Sequence, residues 1–134
     1  MFRWRDEYSV KVKVIDEQHK NLFRIGRKLY DILNKDRSYD DISRIFDELK
    51  NYAVYHFNEE EKHMKKFDYG DYENHKKEHD FFIEKVNELW EERSSIEDYE
   101  ITLEILTFVE KWIENHILKT DQRYSGFFND KGIF

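Results

Sequence analysis

The chain has 134 residues, neither cysteine nor proline, and 23 basic against 30 acidic residues, for a formal net charge of −7. The missing cysteine excludes disulfides, thiolate zinc sites and iron–sulfur clusters, and the acidic balance argues against nucleic-acid binding. No stretch approaches the roughly 20 apolar residues of a membrane span, and the mixed charged and aromatic start from Met1 to Val10 lacks the apolar core of a secretory signal, so one cytoplasmic domain over residues 1–134, with no membrane contact, is expected.

Charged residues make up 40% of the chain and glycine occurs only four times, which favours long helices. Residues 1–14 read as an extended arm, anchored by Trp4 and Tyr8, with Val10, Val12 and Val14 alternating with Lys11 and Lys13. A first helix is expected from Asp16, its N-cap, to Lys35, with His19, Leu22, Leu29 and Leu33 on one face. Ser38–Asp41 reads as a turn and cap. The second helix carries Ile42, Ile45, Phe46, Leu49, Tyr52, Ala53, His56, Glu60 and Met64 in one stripe and is closed by Gly70. The third carries His75, His79, Phe82, Val86 and Leu89 and is punctuated by Ser94 and Ser95. The fourth carries Ile101, Ile105, Phe108, Val109, Trp112, His116 and Ile117. Four amphipathic helices with short joints predict an all-α, up-down-up-down four-helix bundle with an extended N-terminal arm.

The polar members of these stripes carry the functional signal. His19 sits one turn before Leu22, His56 and Glu60 continue the stripe of helix two, His75 and His79 begin that of helix three, and His116 ends that of helix four. In an antiparallel bundle those four helix ends share one level. Burying imidazoles and carboxylates there without partners is very costly, and a metal removes that cost. Asp121 follows His116 by five residues, about 140° around an ideal helix at 100° per residue, so the fourth helix must end or loosen between Leu118 and Thr120 to bring it back. Seven ligands exceed one ion's needs. Two octahedral ions offer about twelve positions; the five imidazoles, two bridging carboxylates and a bridging oxo or hydroxo group leave about one free, on one ion only. Imidazole-rich ligation suits a metal cycling between Fe(II) and Fe(III) better than magnesium or calcium, which take oxygen ligands. His63 is read as a boundary residue, about 10.5 Å of helical rise beyond His56. Glu59 and Glu61 are read as solvated, and Tyr124 as a candidate to pack over the site's end.

Four segments carry a resemblance. Ile15-Asp16-Glu17-Gln18-His19, His56-Phe57 with Glu60, Glu61 and Met64, His75-x-x-x-His79 followed by Phe82, and Trp112-Ile113-Glu114-Asn115-His116-Ile117 with Asp121 and Tyr124 together resemble the signatures of the hemerythrin family, in its single-domain bacterial form. The match runs from Trp4 to Tyr124 and departs from the family pattern at Lys11, where a glycine is expected in the arm. The resemblance implies a non-haem di-iron centre: His75, His79 and His116 on one iron, His19 and His56 on the other, and Glu60 and Asp121 bridging. It also implies reversible dioxygen binding on the less crowded iron, in an apolar pocket formed or flanked by Phe57, Trp112, Ile113 and Ile117. The expected role is oxygen storage, delivery or scavenging and not enzymatic turnover. Alternatives are oxygen or redox sensing through a protein partner, a di-iron oxidase or peroxidase, and a structural zinc bundle. Oxidase-type bundles use more carboxylates and paired Glu-x-x-His motifs, and four-coordinate zinc leaves ligands idle.

Overall fold

A computed structural model describes residues 2–35, 39–92 and 99–134. Four long helices, α1 (Lys13–Lys35), α2 (Tyr39–Lys66), α3 (Tyr72–Glu92) and α4 (Tyr99–Asn115), form the bundle. A π-helical segment, His116–Asp121, continues α4 directly into a short α5 (Gln122–Asp130). α1 packs on α2 and α4, and α3 packs on the same two, which closes the four-helix ring expected from the amphipathic stripes. Among the described residues there is no strand.

The apolar residues fall into two clusters. The larger fills the bundle and includes Leu22, Leu29, Phe46, Phe57, Phe82, Val109, Ile113 and Ile117. The smaller, built from Val10, Val12, Ile15, Met64, Tyr124 and Phe128, closes one end. His19, His56 with Glu60, and His116 with Asp121 each lie in sequence between a member of one cluster and a member of the other. The polar layer is therefore sealed on both sides by apolar packing.

Several local expectations need correction. α1 begins at Lys13, before Asp16. Asp16 does not cap it; its carboxylate accepts from Ser9 Oγ at 2.6 Å and from Val10 N–H at 2.8 Å, tying the arm down. Val10 and Val12 are buried, but Val14, expected in extended chain, is helical and half exposed. Gly70 does not end α2. The helix closes at Lys66 with Asp68 in the left-handed region (φ 55°), Tyr69 N–H donating to the Met64 carbonyl and Asp68 N–H to that of Lys65. That is the hydrogen-bond pattern usually completed by glycine. Asp68 occupies the conformation, and Tyr69 packs in the same cluster as Met64. Ser38, Ser94, Ser95 and the side chain of Ile101 lie outside the described residues; Tyr39 to Asp41 are already helical. The short α5 was not expected.

The arm holds more than its two expected anchors. Tyr8 is buried edge-on against Phe23 at 5.2 Å, and Trp4 packs on both. Beyond them Phe2 is also buried, with φ 58°. Its N–H donates to Glu110 Oε2 at 2.7 Å and its carbonyl accepts from Arg27 at 2.8 Å. Its ring lies over Gly26, where an added Cβ would meet ring carbons at 2.7 Å. Gly26→Ala gains roughly 1 kcal/mol of helix propensity but drives a well-anchored ring out of place, at roughly 1–3 kcal/mol. We expect denaturant unfolding to show a net loss of stability. In a Phe2→Ala background the same substitution should stabilise instead. Equal effects in both backgrounds would contradict this packing.

Candidate metal centre

Each helix delivers its donors by its own periodicity. α1 turns His19 inward on the face of Leu22. α2 presents His56 and Glu60, and α3 presents His75 and His79, each pair four residues apart. In the last case the backbone itself changes. From His116 to Asp121 the chain is π-helical, so a five-residue step returns to the same side, and both side chains are buried. The expected loosening is present, wider than expected, and the helix does not end there.

The seven side chains converge. None exceeds 4% exposure. Donor atoms of Glu60, His75, His79, His116 and Asp121 lie within 4.8 Å of one another, as do those of His19, His56, Glu60 and Asp121. The two carboxylates are common to both groups, and their oxygens divide between them. Asp121 Oδ1 is 3.0 Å from Nε2 of both His75 and His116, while Oδ2 is 3.2 Å from that of His19. Glu60 Oε1 is 2.5 Å from Nε2 of His56, while Oε2 is 3.6 Å from that of His75. Short as these distances are, both carboxylates, His19 and His75 lack hydrogen bonds of acceptable angle. His79 and His116 face each other with Nε2 atoms 3.0 Å apart, but His19, His75 and both carboxylates are without such a partner, and the convergence of seven donors is the arrangement of a ligand cage.

Outer contacts fix the imidazoles. His56 Nδ1–H donates to Gln18 Oε1 at 2.6 Å, and His79 Nδ1–H to Glu61 Oε2 at 2.8 Å. His116 Nδ1–H donates to Glu78 Oε1 at 3.0 Å, and Thr120 Oγ1–H donates to the same oxygen at 2.7 Å. A proton held on Nδ1 leaves the Nε2 lone pair free to face inward, as metal-binding histidines require. The three-imidazole group thus carries two anionic outer partners, and His56 a neutral one. The roles of Gln18, Glu78 and Thr120 are not among those expected from the sequence, and Glu61, expected to be solvated, has a side chain only 12% exposed that faces His79. A usable signal was that Glu61 stands one position after Glu60, toward α3.

The remaining assignments sort cleanly. His63 is half-buried, its Nδ1–H donates to the Glu59 carbonyl at 2.8 Å, and it stays outside the cluster. Glu59 is half-buried. Tyr124 is fully buried, with its ring stacked on His75 at 5.6 Å. A cavity of about 10 Å³, about the room one water-sized molecule needs, is lined by Phe57, Trp112, Ile113 and Ile117. It is also lined by Leu22, His19, His56, His116 and Asp121. Phe57 stacks on His79 at 4.0 Å and Trp112 on His116 at 4.5 Å, so the pocket walls also brace the imidazoles.

Electrostatics tie the layer together. Burial works against ionisation of Asp121, but His116, His19 and His75 hold its carboxyl well below the usual range. Burial and Asp121 oppose ionisation of Glu60, yet His56 and His75 hold it low. Burial lowers His56 and His79. Burial also works on His75 and His116, but Asp121 and Glu60 outweigh it and raise them to about 9 and about 10 from 6.5. The metal-free protein therefore keeps protons on His75 and His116 at neutral pH. Because their folded pKa values are raised, the stability they confer is complete below pH 6.5 and is lost as pH rises through about 9 and about 10. Chemical denaturation of the metal-free protein should show stability falling from pH 7 to 10. Metal-loaded protein should resist that fall, because metal replaces the protons. A flat profile for the metal-free protein would contradict the charge pairing.

The donor set fits a metal centre on chemical grounds. Five nitrogens exclude a magnesium or calcium preference, and two shared carboxylates fit a pair of ions better than one. Comparison with known proteins agrees. Residues 10–127 match the sequence profile of the hemerythrin HHE cation binding domain. The chain is 39% identical over 127 residues to a bacteriohemerythrin of Clostridium acetobutylicum, covering 92% of this chain and 98% of that one. It is 34% identical over 119 residues to a bacteriohemerythrin of Methylococcus capsulatus, covering 88% of each. A crystal structure of wild-type hemerythrin superposes with a TM-score of 0.78 at 30% identity, covering 92% of this chain and 95% of that one. Helical bundle, shared-carboxylate donor cluster and sequence all agree: the chain belongs to the hemerythrin family, a family of di-iron, oxygen-binding proteins.

Proposed function

We propose that the chain, acting as one domain over residues 1–134, binds dioxygen reversibly at a di-iron centre and serves oxygen storage, delivery or scavenging in the cytoplasm. His75, His79 and His116 would hold one iron, His19 and His56 the other, and Glu60 and Asp121 would be shared. Two irons supply the two electrons by which dioxygen is taken up and returned. The observation that carries this reading is the asymmetry of the site. The small cavity reaches both imidazoles of the two-histidine group, His19 and His56, but only His116 of the other.

The protein's own residues do three things there. Leu22, Phe57, Trp112, Ile113 and Ile117 line the cavity with carbon, so water is disfavoured and a small apolar molecule is not. Glu61 and Glu78 hold the protons of His79 and His116 on Nδ1. Glu60 and Asp121, at 0% exposure, add negative charge that favours the oxidised ions. Turnover as a di-iron oxidase is less favoured. Its paired Glu-x-x-His ligation would need His63, which is turned toward the Glu59 carbonyl.

The test is spectroscopic. Iron-loaded protein, reduced without oxygen and then exposed to air, should develop a visible charge-transfer band that disappears when oxygen is removed, over repeated cycles. Irreversible oxidation on first exposure would contradict carriage, and tight zinc binding without colour would contradict the di-iron reading.

A further inference from the structure

Two carboxylates accept from inward imidazoles, and their settings differ. The Glu61 side chain is 12% exposed, whereas that of Glu78 is 41% exposed. A long side chain that open to solvent keeps water as a competing partner, and an ion pair formed by it alone holds weakly. Yet Glu78 Oε1 lies 3.0 Å from Nδ1 of His116, and Thr120 Oγ1–H donates to the same oxygen at 2.7 Å. Thr120 is itself buried, in the π-helical segment, four residues after His116. A β-branched side chain in a helix has few χ1 choices, so its hydroxyl is fixed where the glutamate is not. A helical threonine ordinarily returns its hydroxyl to a carbonyl one turn back, as Thr107 does to Leu103 at 2.9 Å. Thr120 instead donates across to α3.

We infer that Thr120 is a positioning residue: its hydroxyl holds the Glu78 carboxylate on His116, and through that contact sets how strongly His116 donates to its iron. The inference rests on the di-iron reading, in which His116 is a ligand. An anionic acceptor on Nδ1–H raises the basicity of Nε2 and so favours the ferric state. Without the Thr120 hydroxyl, Glu78 turns to water and His116 loses its anionic partner. The potential then moves positive. An opposite effect is smaller: the hydroxyl also draws some charge from Glu78, and its loss would strengthen that carboxylate. Removing one neutral donor changes the charge on Glu78 only partly, whereas releasing Glu78 removes the whole anion from His116. Of the three-histidine group only His116 also borders the small cavity, so this contact acts on the imidazole next to the place where a small molecule fits.

Four variants test this: Thr120→Val, which keeps the branched shape without the hydroxyl, Thr120→Ser, which keeps the hydroxyl, Glu78→Ala, and Thr120→Val combined with Glu78→Ala. Iron content, midpoint potential and the rate of iron loss to a chelator are measured on each. Thr120→Val should take up two irons, show a more positive potential and lose iron roughly tenfold faster. Thr120→Ser should restore both quantities most of the way to wild type. Glu78→Ala should shift them at least as far as Thr120→Val, and adding Thr120→Val to it should change neither further, because the hydroxyl then has nothing to hold. Wild-type potential and iron loss in Thr120→Val would overturn the inference, as would a negative shift. An undiminished effect of Thr120→Val in the Glu78→Ala background would also overturn it, because the hydroxyl would then act elsewhere. If wild type itself fails to take up two irons, the di-iron reading fails and this inference with it. If wild type takes up two and only the Thr120 effects are missing, this inference alone fails.

Discussion

Two carboxylates with no exposed surface, Glu60 and Asp121, are the constraint on which the rest of this molecule turns. A buried, unpaired carboxylate costs several kcal/mol even after the protein relaxes. The bundle therefore has to bring positive charge to them, as protons on imidazole or as metal ions. Every helix contributes to that task, and each imidazole is placed where an oxygen of one carboxylate or the other can be reached. The same layer that is electrostatically demanding is kept dry from both sides, by the bundle core and by the end cluster around Met64 and Phe128.

The π-helical segment is how one helix meets that demand twice. An ideal α-helix would leave Asp121 about 140° away from His116. Widening the helix over His116–Asp121 returns Asp121 to the site and sends α5 across its end. Nearby polar groups then hold the widened segment. Thr120 Oγ1–H donates to Glu78, and the Gln122 amide donates to the Ser9 carbonyl. The arm is drawn into the same assembly through Asp16, which accepts from Ser9 and Val10, and through Asn129, which donates to the Lys11 carbonyl. Lys11 adopts φ 61° there, a left-handed conformation that glycine takes without strain.

Most of the fold and all seven converging side chains were legible in the sequence, because helical periodicity is local and the site lies on the inward stripes. His56, Glu60, His75 and His79 needed only four-residue spacing. Asp121 needed one further step, that a mismatch in phase implies a change in helix type. What escaped was set by relations between helices. Gln18 is adjacent to His19 in sequence but orients His56 on α2, and Glu61 on α2 orients His79 on α3. Glu78, one residue from His79, orients His116. No single-helix pattern can pair a carboxylate with an imidazole on a neighbour. Terminal geometry escaped for a different reason. Asp68 takes a left-handed conformation that sequence statistics assign to glycine, so Gly70 was the more visible and the wrong choice.

In the proposed centre Glu60 and Asp121 would join two irons that differ in their histidines. Anomalous diffraction at the iron edge, from crystals of iron-loaded protein, addresses it directly. Two iron peaks are expected, both contacting Glu60 and Asp121, one beside His75, His79 and His116 and the other beside His19 and His56. A single peak, or two irons without both carboxylates between them, would contradict it.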